Sequence, residues 1–541
     1  MTYTFKLPIQ YVNHEVLNEN IISDLEMNKS YNNIFKDTIL NYEWCKYYST
    51  DKDYLRQTQC IVKNYKSDLY NFTEFLEEYN EFKKETNFLD KYQYINFKSI
   101  QSLNTNPLFM HFLSLYNLSA PIISLCSPIF IFIVPYFILK FKKVPIELNH
   151  YIHLIEEIIK KSSMFKFFDP NVSHNQRISG LLSIIFYVFQ IYQNTVSCIS
   201  FYNNMNFIGN FINKYKLFCQ SSIQLIDDIS SNINSFETYK IFNQENIKNK
   251  NILQTILKQI NSIFPYDNSI SRLSQIGIIM TLFYTLYHND KYNDTIHYVT
   301  KLNCYNSDIH SLKKLVSLRK LNRCKYKNKN TTFKDMYYLP HLNIEHVKND
   351  ISINKNIIIT GPNASGKTTI IKSVLMNIIM SQQFGFGCYK SANIKIYDYF
   401  HSYLNIPDTS DRDSLFQAEA RRCKDILEFI TERIDKKHFC IFDEIYSGTN
   451  PNDATVCAKI YLKGLNNFMK LDFLLTTHYI ELCEYFNNNK KYENIINLKM
   501  NVVEDKNNIK YNYLIEPGIS YIHGGKQILK DLNYPDYLFL L

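Results

Sequence analysis

The sequence predicts an α + α/β protein, with a largely helical N-terminal two thirds followed by a C-terminal domain on a mostly parallel sheet. Three observations carry this. Only 12 glycines occur in 541 residues, about a third of ordinary usage, and nine of them lie at or after Gly361. Glycine serves where φ must be positive or a ligand approaches the backbone closely, so loops of special geometry concentrate in the last third. Before it, apolar residues recur mainly at helical spacing. From about Tyr337 short apolar runs alternate with Gly-containing turns and helical patterns, which indicates parallel strands flanked by helices.

In chain order, residues 1–115 read as helices with polar interruptions. "FTEFLEEYNEFKKE" (Phe72–Glu85) places aromatic residues on one helix face. Residues 116–205 form a hydrophobic segment. No charge occurs from Asn117 to Leu139, and Lys140, Lys142 and Lys143 follow at once. That length suffices to cross a bilayer and has a basic flank, but Pro121, Pro128 and Pro135 interrupt a regular helix. A second apolar run covers Ile178–Gln193. Two readings fit: buried core segments, or a membrane hairpin or interfacial anchor. Residues 206–335 return to amphipathic helices. Their end, Lys313–Lys329, carries eight basic residues and no acid; it reads as a solvated helix end and loop, or as a track for a phosphate backbone. Residues 336–541 hold the strand–turn–helix pattern, with strands expected at "NIIIT", "FCIFDE" and "DFLLTTH".

A net charge of +9 permits a nucleic-acid or anionic-membrane partner without requiring one. Twelve scattered cysteines form no C-x-x-C pair, which argues against a zinc site or disulfide framework and for an intracellular, reducing compartment. The first residues lack the apolar core of a signal peptide.

The chemistry is expected in the last third. Gly361, Gly366, Lys367 and Thr368 match G-x-x-x-x-G-K-[ST] between a strand and a helix, the context the motif needs. The loop Gly361, Pro362, Asn363, Ala364, Ser365, Gly366, Lys367, Thr368 and Thr369 is the expected ATP site. Its N–H groups would cradle the β-phosphate, Lys367 would reach the β- and γ-phosphates, and Thr368 would ligate Mg²⁺. Asp443 and Glu444 end an apolar run; adjacent acids there are costly without a cation nearby. Asp443 would hold Mg²⁺, and Glu444 would activate the attacking water. His478 ends a later strand, placed to sense the γ-phosphate or orient that water.

"TGPNASGKTT", "DSLFQAEARRCKDIL", "FDEIYSGTNPNDA" and "TTHY", in this order, resemble the ATPase domain of MutS-family proteins. The lead-in Tyr338–Thr360 and the closing segment Tyr513–Pro535, with Gly518, Ser520 and Pro535, are similar to the family's. The resemblance is convincing over about Asp308–Pro535 and implies an ABC-type P-loop ATPase domain over 336–541, after a helical core and lever. It implies that Ser414 reaches across a dimer to the partner's γ-phosphate, and matches Glu419 to the acid that follows it. Ser447, Gly448 and Thr449 match the loop through which subunits communicate. Ala364-Ser365 stand where the family has Met-Gly or Met-Ser.

The implied function is a dimeric, nucleotide-gated clamp on double-stranded or branched DNA, hydrolysing ATP in repair or recombination, with a homodimer favoured over a heterodimer. Phe72–Glu74 and Phe75–Glu77 fit the family's Phe-x-Glu mismatch wedge in pattern but read as a helix face. The chain before the helical core is too short for a mismatch-reading domain, so branched or generic duplex DNA is the expected ligand. The alternative is a membrane-attached ATPase with no mismatch-repair role. A transporter nucleotide-binding subunit is disfavoured, because "DSLFQAEARR" stands where such subunits carry L-S-G-G-Q.

Overall fold

Helices in this chain form where aromatic and aliphatic residues repeat every three or four positions, and they bury that stripe. The computed structural model describes residues 5–36, 39–145, 147–170, 172–263, 269–404, 414–505, 508–522, 532 and 534–535. Much of the closing segment expected to resemble the MutS family, 523–531, therefore lies outside the described residues. The chain forms two compact units. One comprises Met1–Tyr70, Leu225–Asn249 and His297–Leu541, the other Asn71–Gln224 and Lys250–Ile296. Neither unit is one continuous run, because the helices His174–Ile233, Lys240–Asn261 and Asp290–Ser317 each contribute to both.

In the second unit, the helix Thr73–Lys84 buries Phe75, Tyr79 and Phe82. Phe75 stacks on Phe218 with ring centroids 4.3 Å apart, and Phe82 packs on Phe211 at 4.6 Å and Phe283 at 5.0 Å. On the polar side, Lys214 pairs with Glu78 at 2.7 Å and Glu74 at 3.0 Å. Phe72 and Phe75 are thus core residues on a helix face, with no ring free to enter a duplex. The reading of the two apolar runs as buried core does not hold. In Pro107–Phe141 and His174–Ile233 the most apolar windows are only 17% and 0% buried. Apolar side chains surround these helices on too many sides for the neighbouring helices to cover.

In the first unit, six strands form one sheet: β1 (Asn356–Thr360), β2 (Tyr399–Tyr403), β3 (His438–Asp443), β4 (Leu471–Thr477), β5 (Ile495–Asp505) and β6 (Asn508–Pro517). Their order is β6-β5-β1-β4-β3-β2. All pairings are parallel except the β5–β6 hairpin. β1 is buried along its whole length, as a central parallel strand covered on both faces should be. Four helices serve this sheet: α1 (Lys367–Gln383), α2 (Leu415–Glu432), α3 (Pro451–Leu465) and α4 (Ile480–Asn488). Phe442, Phe473, Leu475, Ala458, Leu462 and Leu482 form part of the core beside it. The expected strands and the helix expected after the Gly361–Thr368 loop are all present. A second sheet of five short strands, with Thr331–Met336 and Asn322–Tyr326 among them, adjoins α1. On Asn322–Tyr326 the basic Arg323 and Lys325 face solvent, while Cys324 and Tyr326 are buried.

Asn377 fastens α1 to this second sheet. Fully buried, it donates to Tyr337 O at 3.1 Å and Ser373 O at 2.9 Å, and accepts from Cys388 N at 2.6 Å. Asn377→Leu would leave an N–H and a carbonyl without partners, at about 1–3 kcal/mol each. The expected outcome is a loss of roughly 2–4 kcal/mol, read as a lower urea midpoint with an unchanged slope.

Candidate functional site

The loop after β1 is shaped by two glycines with different tasks. A Cβ on Gly361 would lie 2.7 Å from Ser365 Oγ and 3.0 Å from Met500 Cβ, so packing requires its absence. Gly366 holds φ +91°, where an L side chain is strained. Ala364 also lies in the left-handed region, at φ +64°, at a cost of about 1–2 kcal/mol. Asn363 and Ala364 are exposed at the lip, whereas Ser365 is buried with its hydroxyl unpartnered. α1 begins at Lys367, so its first N–H groups face the loop.

Lys367 is buried at 5% exposure. Its Nζ donates to Gly361 O at 3.1 Å and Pro362 O at 3.3 Å, lies 3.0 Å from His478 Nε2, and sits 3.7 Å from Glu444 Oε1. Burial pushes the ammonium pKa below the usual lysine value, and Glu444 and Asp443 pull it back up. Thr368 Oγ1 donates to Asp443 Oδ2 at 2.9 Å. The other oxygen of Asp443 accepts from Thr476, its parallel-register partner on β4. Glu444 takes φ +50° and its Oε1 lies 2.8 Å from His478 Nε2. That contact holds the Glu444 carboxyl below its ordinary value against the opposing effect of burial. The ends of β1, β3 and β4 thus bring Lys367, Thr368, Asp443, Glu444 and His478 together.

Ser414 and Glu419 stand apart from this cluster. Ser414 caps α2 and shares a capping box with Gln417. It is exposed. Glu419 is 2% exposed; its carboxylate accepts from Ser447 N at 3.1 Å, Ser447 Oγ at 2.8 Å and Gly448 N at 3.1 Å. A Cβ on Gly448 would lie 2.8 Å from Leu415 Cγ and Phe416 N. The loop after the acidic pair therefore packs on the start of α2, one residue beyond Ser414.

A cleft of about 730 Å³ opens beside the loop, lined by Asn363–Ile370 and Glu444 and walled by Tyr337, Tyr338, His346 and Tyr513. The Tyr337 ring stacks on His346 at 4.0 Å. Sequence reasoning assigned these wall residues and Thr476 no role, although Tyr338, His346 and Tyr513 fall in the lead-in and closing segments and the Thr-Thr pair before His478 is a local signal that could have marked a second hydroxyl. The cleft's donor set suits a polyanion with a hard cation: a helix N-terminus, an ammonium, a buried unpaired hydroxyl, and a Thr–Asp pair. Among the described residues no group of three His, Cys, Asp or Glu side chains is arranged to hold a metal ion by itself. An ion held by Thr368 and Asp443 would thus need oxygens from its ligand.

This mostly parallel sheet, with its loop and acidic pair at one edge, defines an α/β domain with a cleft, and comparison with known proteins places it. Residues 357–539 match the family model of MutS domain V. The chain is 30% identical over 196 residues to the DNA mismatch repair protein MutS of Acholeplasma laidlawii, covering 36% of this chain and 22% of that protein. It is 34% identical over 170 residues to that of Fusobacterium nucleatum, covering 31% and 18%, and 27% identical over 198 residues to that of Lactococcus lactis, covering 36% and 23%. These matches, confined to the C-terminal part, support MutS-family membership. The match spans about a fifth of the relatives' length.

Two outcomes follow from the geometry. Glu419→Ala leaves the N–H groups of Ser447 and Gly448 without this acceptor, so hydrogen exchange in 445–449 should accelerate at least tenfold while β1 stays protected. Glu444 has a depressed carboxyl, so its stabilising contribution is full above the ordinary carboxyl pKa and is lost as pH falls through the depressed value. Glu444→Gln should therefore flatten the decline in melting temperature on acidification below about pH 5.

Proposed function

We propose that this chain binds ATP with Mg²⁺ in the loop cleft, hydrolyses it, and works as a MutS-like dimer whose grip on DNA is set by nucleotide. The observation that carries this reading is the convergence of Lys367, the Thr368–Asp443 pair and the Glu444–His478 pair on one loop. Lys367 and the α1 N-terminus neutralise the β- and γ-phosphates, and the Tyr337–His346 wall offers a stacking face for the base. Thr368 and Asp443 hold the cation, which when bound supplies charge neutralisation at the phosphates. Glu444, kept ionised by His478, takes the proton of the attacking water. The exposed Ser414 completes the site of a second copy.

The relatives' name supports a role in DNA mismatch repair. Branched or generic duplex DNA remains the favoured ligand, because Phe72 and Phe75 are locked in a core. The exposed Arg323 and Lys325 supply charge for phosphate contact.

The test is steady-state ATP hydrolysis by the full chain, alone and with duplex, mismatched or branched DNA. Lys367→Ala should abolish ATP binding. Glu444→Gln should bind ATP, lower kcat at least about a hundredfold, and accumulate dimer in sedimentation velocity. Ser414→Ala should lower turnover without weakening ATP binding. Normal turnover by Glu444→Gln would remove Glu444 from the mechanism, and an ATP-independent monomer would remove the dimer.

A further inference from the structure

Two long helices of the second unit, Pro107–Phe141 and the first part of His174–Ile233, run antiparallel. Tyr187 Oη donates to Leu125 O at 2.9 Å and Cys198 Sγ to Leu118 O at 3.4 Å, so an advance along one helix is a retreat along the other. The short helix Leu148–Lys161 meets the first of them near its end, with the Tyr151 hydroxyl on the Phe132 carbonyl. We infer that this helical hairpin is seated in the hydrocarbon layer of a lipid bilayer. The inference is independent of the nucleotide reading.

Four observations support a bilayer. First, length fits. No charged side chain occurs in the 23 residues Asn117–Leu139 or from Ile178 to Asn213. At 1.5 Å per residue, 23 residues span about 34 Å against roughly 30 Å of hydrocarbon. Second, coverage fits. Ile122, Ile123, Leu125, Phe130, Val134 and Ile138 are all exposed, and at about 100° per residue they occupy more than half of the helix circumference. A second protein chain would cover one stripe; lipid covers every side.

Third, several hydroxyls within the spans are already satisfied by their own helix. Ser119 donates to Leu115 O at 2.8 Å, Ser124 to Pro121 O at 2.9 Å, Ser183 to Ser179 O at 3.0 Å and Thr195 to Ile191 O at 2.8 Å. Pro128 has no N–H to give the carbonyl of Ser124, and Ser127 Oγ donates to that carbonyl at 2.9 Å. In hydrocarbon, where no water can serve, a proline is tolerated only with such a substitute. Fourth, charge and amides sit at the ends. Lys140, Lys142 and Lys143 follow the first span directly, placed for headgroup phosphates. Gln190, Gln193 and Asn194 fall level with Leu118–Leu125, at the opposite end. Duplex DNA is a poor occupant of this surface, since phosphate contact needs cations and the spans have none.

The test is flotation of the full-length protein with phosphatidylcholine vesicles in high salt, followed by alkaline carbonate extraction. The protein should float and resist extraction. Phe130→Trp, a conservative change, should add fluorescence that brominated phosphatidylcholine quenches, while the buried Trp44 of the first unit is not quenched. Phe130→Lys with Val134→Lys should lower flotation at least tenfold at unchanged helical circular dichroism. A soluble oligomer that neither floats nor shows quenching would assign the surface to a second copy and overturn the inference. So would flotation abolished by salt, or DNA affinity lost in the double-lysine variant with flotation retained.

Discussion

A lysine ammonium taken out of water must be met by oxygen or nitrogen lone pairs, or it gives up its proton. Lys367 is in that position, and the first unit's site is organised around meeting it. Two loop carbonyls, His478 and Glu444 surround Nζ. Those partners come from the ends of three strands, and only a parallel sheet delivers three carboxyl-terminal ends to one edge. β4 lies between β1 and β3, so the loop, the His478 segment and the acidic pair meet without long connections. The register pairing of Asp443 with Thr476 then adds a second hydroxyl beside Thr368, and both oxygens of Asp443 are occupied. The same contacts that relieve a buried cation also leave its charge facing the cleft.

What was legible in the sequence follows from which signals are local. β1, β3 and β4 are apolar runs that end in a loop or a charged residue, and burial on both faces writes that pattern directly. The Gly-Lys-Thr stretch is local too. Glu419 could be matched to a family position, but its task could not be read: its acceptor role depends on Ser447 and Gly448, far along the chain. Tyr337, His346 and Tyr513 wall the cleft through pairings between separate elements. Strands such as Asn322–Tyr326 are short and half polar, with alternation too brief to distinguish from a loop. The division into two units was hidden because three helices serve both, and no composition shift marks the points where they pass from one to the other.

Phenylalanine-rich segments took two fates for a reason visible in their neighbours. In Thr73–Lys84 the rings fall on one stripe, and the exposed Glu74, Glu77, Glu81 and Lys84 occupy the rest, so the helix has one side to bury and one to solvate. In Asn117–Leu139 no charged residue interrupts the circumference, and no arrangement of two or three helices can cover it. Counting apolar residues treats the two segments alike; their angular distribution separates core from uncovered surface.

The contacts of Glu419 impose a mechanical rule on the rest of the site. Its three hydrogen bonds fix Ser447 and Gly448 to α2, while Glu444 and Tyr446, just before them, hold positive φ at 50° and 59°. Such backbone persists where surrounding contacts over-determine it. Gly448 packs against Leu415 and Phe416, so the loop has little room to slide against the helix start. A shift of Glu444 toward or away from Lys367 must therefore be absorbed within Ile445 and Tyr446 or carried into the first turn of α2, where Ser414 stands. Ile445 and Tyr446 are both buried, which limits the first route. The second couples the acid beside Lys367 to an exposed serine through one carboxylate.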